Sequence, residues 1–75
     1  MRASGVNLAG AHFEKANLRD ADLRNADLRS ADLTDAILND ADLTGAMLRD
    51  ADLSGADLTD AILTGATMPD GSKHE

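Results

Sequence analysis

Cysteine is absent from the 75 residues, which excludes disulfides and thiolate metal sites. Tryptophan and tyrosine are absent too, and Phe13 is the single aromatic residue. Without these supports a chain of this size would be marginal, because a core below about 70–80 residues rarely suffices alone. No apolar run is long enough to cross a bilayer, and residues 1–9 carry no apolar stretch of signal-peptide length. A soluble, cytoplasmic protein with no membrane contact is the expectation. Basic residues are scarce: 7 Lys and Arg stand against 14 Asp and Glu, for a formal charge of −7. That balance argues against direct binding to nucleic-acid phosphates and permits basic partners.

Acidity with few aromatics can signal disorder. Here the apolar residues are in strict register instead. Counting in fives from Val6 gives thirteen units ending at Asp70. The first position is Val6 and then Ala, from Ala11 to Ala66. The third is Leu8, Phe13, then Leu at every fifth residue from Leu18 to Leu63, and finally Met68. The second is mostly Asp or Asn, and the fifth is Gly, Asp, Asn or Ser except at Lys15. The chain thus divides into a short lead, 1–5, a repeat, 6–70, and a tail, 71–75, with no room for a linker or a second domain.

A five-residue period fits neither regular element. At about 100° per residue, successive leucines would scatter around a helix. In a straight strand an odd spacing would send them to opposite faces. Within one unit, however, Ala–Asp–Leu is an in–out–in strand fragment, and the following pair is turn-forming, as in Thr34-Asp35, Thr44-Gly45 and Ser54-Gly55. If the chain bends the same way at every pair, all alanines and leucines point to one interior. Backbone groups then require successive coils to stack. The period predicts an all-β solenoid of very short strands, held together by stacked neighbours.

Units such as Ala21-Asp22-Leu23-Arg24-Asn25 and Ala56-Asp57-Leu58-Thr59-Asp60 resemble the A-(D/N)-L-x-x motif of the pentapeptide-repeat proteins. The resemblance covers 6–70. It implies a right-handed quadrilateral β-helix with four units per coil, hence about three coils. The number four comes from the resemblance, not from the period. The segment ADLTDAIL at 31–38 recurs at 56–63, an offset of 25 that keeps the five-residue phase without keeping the face. The expected structural core is Phe13, Leu18, Leu23, Leu28, Leu33, Leu38, Leu43, Leu48, Leu53, Leu58, Leu63 and Met68.

Function should then lie on outward positions or at the ends. The candidate interaction residues are Asp22, Asp32, Asp42, Asp52, Asp57, Arg29, Arg49 and Ile62. With twenty residues per coil, Asp22 stacks beside Asp42, Asp32 beside Asp52 and Arg29 near Arg49. The main expectation for the Asp and Asn side chains is that they brace the corners by local hydrogen bonds. The arginines are expected to offset aspartates such as Asp20, Asp40 and Asp50. Ile37, Met47 and Ile62 replace Asp at outward positions on three different faces.

No arrangement for catalysis emerges. His12 is outward and His74 lies in the tail, and nothing at fixed spacing supplies a nucleophile with a base and an oxyanion site. A coil filled with leucine offers no cavity for a small-molecule substrate. No catalytic residue, metal site or cofactor is expected. Exposed strand edges at the ends invite pairing, and Pro69, which lacks a donor, fits an edge position. The expected role is a non-catalytic structural or protein-interaction module, with a protein partner or self-association through the coil ends. A second reading comes from family members known as DNA mimics that bind type II topoisomerases. The net charge over a stack about 15 Å tall approaches the charge density of duplex DNA, about one per 1.7 Å. The short stack argues against it.

Overall fold

A computed structural model describes all residues, 1–75. Its organising feature is a set of parallel single-residue bridges between residues twenty apart. They run in four columns: Arg2–Asp22–Asp42–Ile62, Asn7–Asp27–Met47–Thr67, His12–Asp32–Asp52 and Asn17–Ile37–Asp57. The chain therefore coils with twenty residues per turn, four five-residue units at a time. No helix is long and apolar enough to cross a membrane. The molecule measures 24 × 20 × 20 Å.

The backbone hydrogen bonds explain why five residues make one unit. In the unit Ala41–Gly45, the Ala41 N–H bonds Leu38 C=O at the preceding corner, 3.0 Å. Asp42 N–H bonds Ala21 C=O one coil back, 2.9 Å, and Leu43 N–H bonds Ile62 C=O one coil on, 2.7 Å. Gly45 N–H bonds Thr64 C=O one coil on, 2.9 Å. The remaining donor, Thr44 N–H, bonds the Asp42 side chain at 3.0 Å. Every N–H of this unit has a partner, as a buried backbone requires. The three-residue strands expected from the sequence shrink to bridges of one residue, because the third carbonyl and the first N–H close the corners.

Each corner is a turn with its left-handed residue at the fifth position. Lys15, Asp20, Asn25, Ser30, Asp35, Asp40, Asp50 and Asp60 take φ near +60°, and glycine fills most of the other fifth positions. A positive φ confined to the third residue of a four-residue turn is the type II signature. Asn, Asp and Gly tolerate that region better than other residues, hence the polar fifth position. At Gly45 a Cβ would strike the Asn25 side chain from the coil below, so both φ and space call for glycine there.

Side chains at positions one and three fill the coil. Leu23, Leu28, Leu33, Leu38, Leu43 and Leu48 are fully buried, with Leu18 nearly so and Ala21 to Ala46 lining the wall between them. The other expected core residues, Phe13, Leu53, Leu58, Leu63 and Met68, are only half-buried. They lie in the first and last turns, with a neighbouring layer on one side only.

Both segments outside 6–70 are tied to the coil. Arg2 bridges Asp22, and Ala3 takes the leucine position and is buried. At the other end the chain reverses. Thr67 pairs antiparallel with Lys73, Met68 N–H bonds Ser72 C=O at 2.7 Å, and Gly65 N–H bonds His74 C=O at 2.7 Å. Asp70 does not adopt positive φ; Gly71 does, at +87°. Met68-Pro69-Asp70-Gly71 is thus a turn with Pro second and Gly fourth, the type I preference, followed by a left-handed glycine, as in three-residue hairpin loops. Pro69 therefore sits in a turn that reverses the chain. Lys73 would take the next leucine position if the coil continued, and the reversal keeps its charge out of the leucine stack.

Candidate functional site

The outward candidates fall on the four columns. Asp22 and Asp42 are bridge partners in the first, with Ile62 beyond Asp42. Asp32 and Asp52 are partners in the third, and Asp57 pairs with Ile37 in the fourth. Arg29 and Arg49 lie on successive rungs, where Ser30 N–H bonds Arg49 C=O at 2.9 Å. Ile37 is half-buried, whereas Met47 and Ile62 are exposed on different columns.

The second-position Asp and Asn side chains share one local task. Asn7, Asn17, Asp22, Asp27, Asp32, Asp42, Asp52 and Asp57 each accept the N–H two residues on, at 3.0–3.3 Å. Where Thr follows, its hydroxyl donates to the same oxygen at 2.6 Å. These bonds favour the ionised form. The Thr34, Thr44 and Thr59 hydroxyls and then their N–H groups lower the Asp32, Asp42 and Asp57 carboxyls below the usual range. Ser54 lowers Asp52 and Ser72 lowers Asp70 in the same way. Like charges on neighbouring rungs are thereby tolerated. Units with Ile37, Met47 or Ile62 lack the brace, and the Asn39, Arg49 and Thr64 N–H groups have no such partner.

The arginines choose partners other than those the sequence suggested. Arg24 grips Asp22 with two bonds of 2.8 Å, and Arg29 grips Asp27 at 2.8 and 2.7 Å. A two-residue separation lets the guanidinium fold back along its own unit, so Asp20, Asp40 and Asp50 receive no ion pair. The side-chain bonds from Arg24 push the Asp22 carboxyl down to about 2, and those from Arg29 lower Asp27. Arg29 Nε and Nη2 are engaged on Asp27, while the Arg49 guanidinium lies against Gly71 of the hairpin. The two do not converge on a common anion.

Charge is consequently segregated. The first two columns carry the two arginine-paired aspartates, Asp22 and Asp27. The corner after the fourth column carries Asp20, Asp40 and Asp60 on successive rungs, with Asp57 on the adjoining face and no cation paired to any of them. On the third column His12 Nδ1 approaches Glu14 Oε1 at 3.2 Å, next to Asp32. That gathering was missed in the sequence. Its signal was the twenty-residue offset between His12 and Asp32.

The ends present unbonded backbone groups. At the C-terminal end these are the N–H groups of Leu53, Gly55, Leu58, Asp60 and Leu63 and the carbonyls of Ala51, Ala56 and Ala61. At the N-terminal end they are the N–H and C=O groups of Asn7, His12 and Asn17. The hairpin covers the C-terminal edge only along 65–68.

The sequence matches the family model described as pentapeptide repeats (8 copies), over residues 4–40 and 26–65. Among solved structures, it is similar to HetL, a pentapeptide repeat protein involved in heterocyst differentiation regulation from the cyanobacterium Nostoc sp. strain PCC 7120. Identity is 46% and the TM-score 0.95, over 97% of this chain and 34% of HetL. Rfr23, a pentapeptide repeat protein from the cyanobacterium Cyanothece 51142, is 30% identical with a TM-score of 0.68, over 99% of this chain and 54% of that one. A pentapeptide repeat protein of the Arabidopsis thaliana thylakoid lumen is 37% identical with a TM-score of 0.58, over 88% and 49%. The chain spans about a third of HetL and about half of the other two. No curated protein matches it.

Proposed function

The chain belongs to the pentapeptide-repeat family, and from that premise we propose that it is a non-catalytic, cytoplasmic structural and protein-interaction module, coiled as a right-handed quadrilateral β-helix, whose ends stack on another coil of the same period. One observation carries this reading: the unbonded groups at the two ends are complementary. Inside the coil, third- and fifth-position N–H groups bond the second and fourth carbonyls of the next turn, and the second N–H bonds the first carbonyl of the previous turn. Leu53, Leu58 and Leu63 N–H groups offer the first half of that pattern, and Asn7, His12 and Asn17 offer the other. Half-buried Leu53, Leu58 and Phe13 add apolar surface that a further layer would cover. Such a contact is head-to-tail, so it propagates unless something blocks it. The hairpin at 65–74 obstructs one side of the C-terminal end and favours short assemblies over long filaments.

Light scattering across a concentration series tests this. The expected outcome is a mass that rises with concentration. Asn17→Pro deletes an N–H that bonds nothing within the chain and also the Arg19 brace; it should weaken the association, and Asn17→Ala, which loses only the brace, should not. A monomer at every concentration overturns the stacking.

A second reading, an acidic mimic that binds a DNA-processing enzyme such as a type II topoisomerase, is favoured by the Asp20–Asp40–Asp60 corner, whose carboxylates have no ion-pair partner although Arg19 stands in the same corner. The longest dimension, 24 Å, is well under one DNA turn of about 34 Å, which places it second. Inhibition of gyrase supercoiling at near-equal ratio to the enzyme would promote it; no inhibition at large excess would remove it.

A further inference from the structure

The other rung-stacked acids are carboxylates alone. The third column adds a nitrogen donor. His12 and Asp32 are bridge neighbours, Glu14 stands two residues beyond His12, and ligand atoms of all three lie within 4.8 Å of one another. We propose that His12, Glu14 and Asp32 form a binding site for a divalent transition-metal ion, Zn²⁺ in the first instance. His12 and Glu14 lie on the N-terminal rung whose backbone groups enter the stacking proposed above, but the ligands are side-chain atoms, so metal binding and mass against concentration are read separately.

Donor chemistry selects the ion class. One imidazole with two carboxylates suits Zn²⁺ and its transition-metal neighbours, whereas Ca²⁺ and Mg²⁺ take oxygen ligands. Three protein ligands leave the remaining coordination positions to water. The exposed His12 and Glu14 side chains, 81% and 46% accessible, permit this.

Rigidity supports the assignment. The two rungs that carry the ligands are locked together by Phe13 N–H to Asp32 C=O, 2.7 Å, Lys15 N–H to Thr34 C=O, 2.8 Å, and Asp32 N–H to Ala11 C=O, 2.9 Å. The Asp32 carboxylate is oriented as well. Its Oδ1 accepts both Thr34 N–H at 3.0 Å and the Thr34 hydroxyl at 2.6 Å, leaving Oδ2 for the ion. Outer groups that fix a ligand in this manner are a usual part of metal sites. A cation would also offset the like charges of Asp32 and Asp52, which are bridge partners. The His12–Glu14 contact shows that both side chains reach one point.

Titration of chelator-treated protein with ZnCl₂, followed by calorimetry and by thermal melting, tests the proposal. The expected result is saturable binding of one ion per chain with a rise in melting temperature. His12→Ala and Glu14→Gln should each weaken binding at least about tenfold, because losing even an outer supporting group costs about 10–100-fold. His74→Ala, in the tail, should change nothing. Both ligand positions are exposed, so metal-free variants should melt with the parent. Ring signals of His12, followed by NMR, should shift on adding Zn²⁺. The proposal is overturned if Zn²⁺ binding does not saturate, if it survives His12→Ala unchanged, if it is lost with His74→Ala, or if equimolar Ca²⁺ displaces it.

Discussion

Replacing Leu38 by Ala probes the coil where it is least able to adapt. Leu38 has no accessible surface. Its N–H bonds Asp57 C=O at 2.8 Å on one side, and on the other Leu18 N–H bonds Ile37 C=O at 2.8 Å. These bonds fix the distance between layers, so the wall cannot close over a void. Buried Leu→Ala changes cost about 2.7–5.0 kcal/mol, more when the cavity persists, and the upper half of that range applies here. A domain of this size holds roughly 4–11 kcal/mol in total, at about 0.05–0.15 kcal/mol per residue. Each kcal/mol moves the midpoint by about 4–8 °C, so Leu38→Ala should lower it by some 15–30 °C or more. Leu58→Ala is the internal comparison. Leu58 is half-buried with a layer on one side only, and the surface around it can relax into solvent. Its loss should move the midpoint by less than half as much. The assay is thermal denaturation followed by far-UV circular dichroism on both variants. Equal effects at the two positions would refute the layered account, since they would mean that depth along the coil does not govern the cost.

Ile62→Asn should raise stability by about 0.5–1 kcal/mol, because it supplies the Thr64 N–H with the acceptor that other corners have; a denaturant midpoint that falls instead would exclude the bracing role. Gly71→Ala should loosen the hairpin, since its φ of +87° disfavours a side chain, whereas the nearby Arg49 guanidinium can swing aside. Faster amide exchange at Gly65 and Met68, whose N–H groups bond the tail, checks this. Acid should loosen the coil late. The Asp22, Asp27, Asp32, Asp42, Asp52 and Asp57 carboxyls are all lower in the fold than their ordinary 3.8. Such groups contribute stability fully present above the unfolded value and lost as pH falls through the folded one. The melting temperature should therefore hold down to about pH 4 and drop between there and about 2, the value for Asp22.

The period and the inward alanines and leucines were legible because they run through 6–70, and the corner role of aspartate because it recurs in most units despite His12, Ile37, Met47, Ile62 and Thr67. The twenty-residue turn was not written in the period, since the five-residue phase is the same however many units close a coil. It needed a family resemblance, and the bridges supply it directly. The arginine partners were missed for a different reason. Arg24 and Arg29 have several acidic neighbours at similar sequence distance, and side-chain reach selects the one two residues back. The hairpin was readable: Met68-Pro69-Asp70-Gly71-Ser72 is a turn sequence with a mechanism, but the five-residue register runs through Asp70 and masks it. His12, Glu14 and Asp32 come together only once the turn length is known.

The displacement of the left-handed residue from Asp70 to Gly71 has a consequence beyond this one chain end. Up to Asp60 each corner that lacks glycine places its positive φ on the fifth residue, and the coil advances by a side. Delaying that residue by a single position converts the same advance into a reversal. The five residues 68–72 thus interrupt the coil as punctuation interrupts a text. Moved to an earlier corner, that stop should shorten the rod by whole sides; removed, it should leave the last turn ready to accept more.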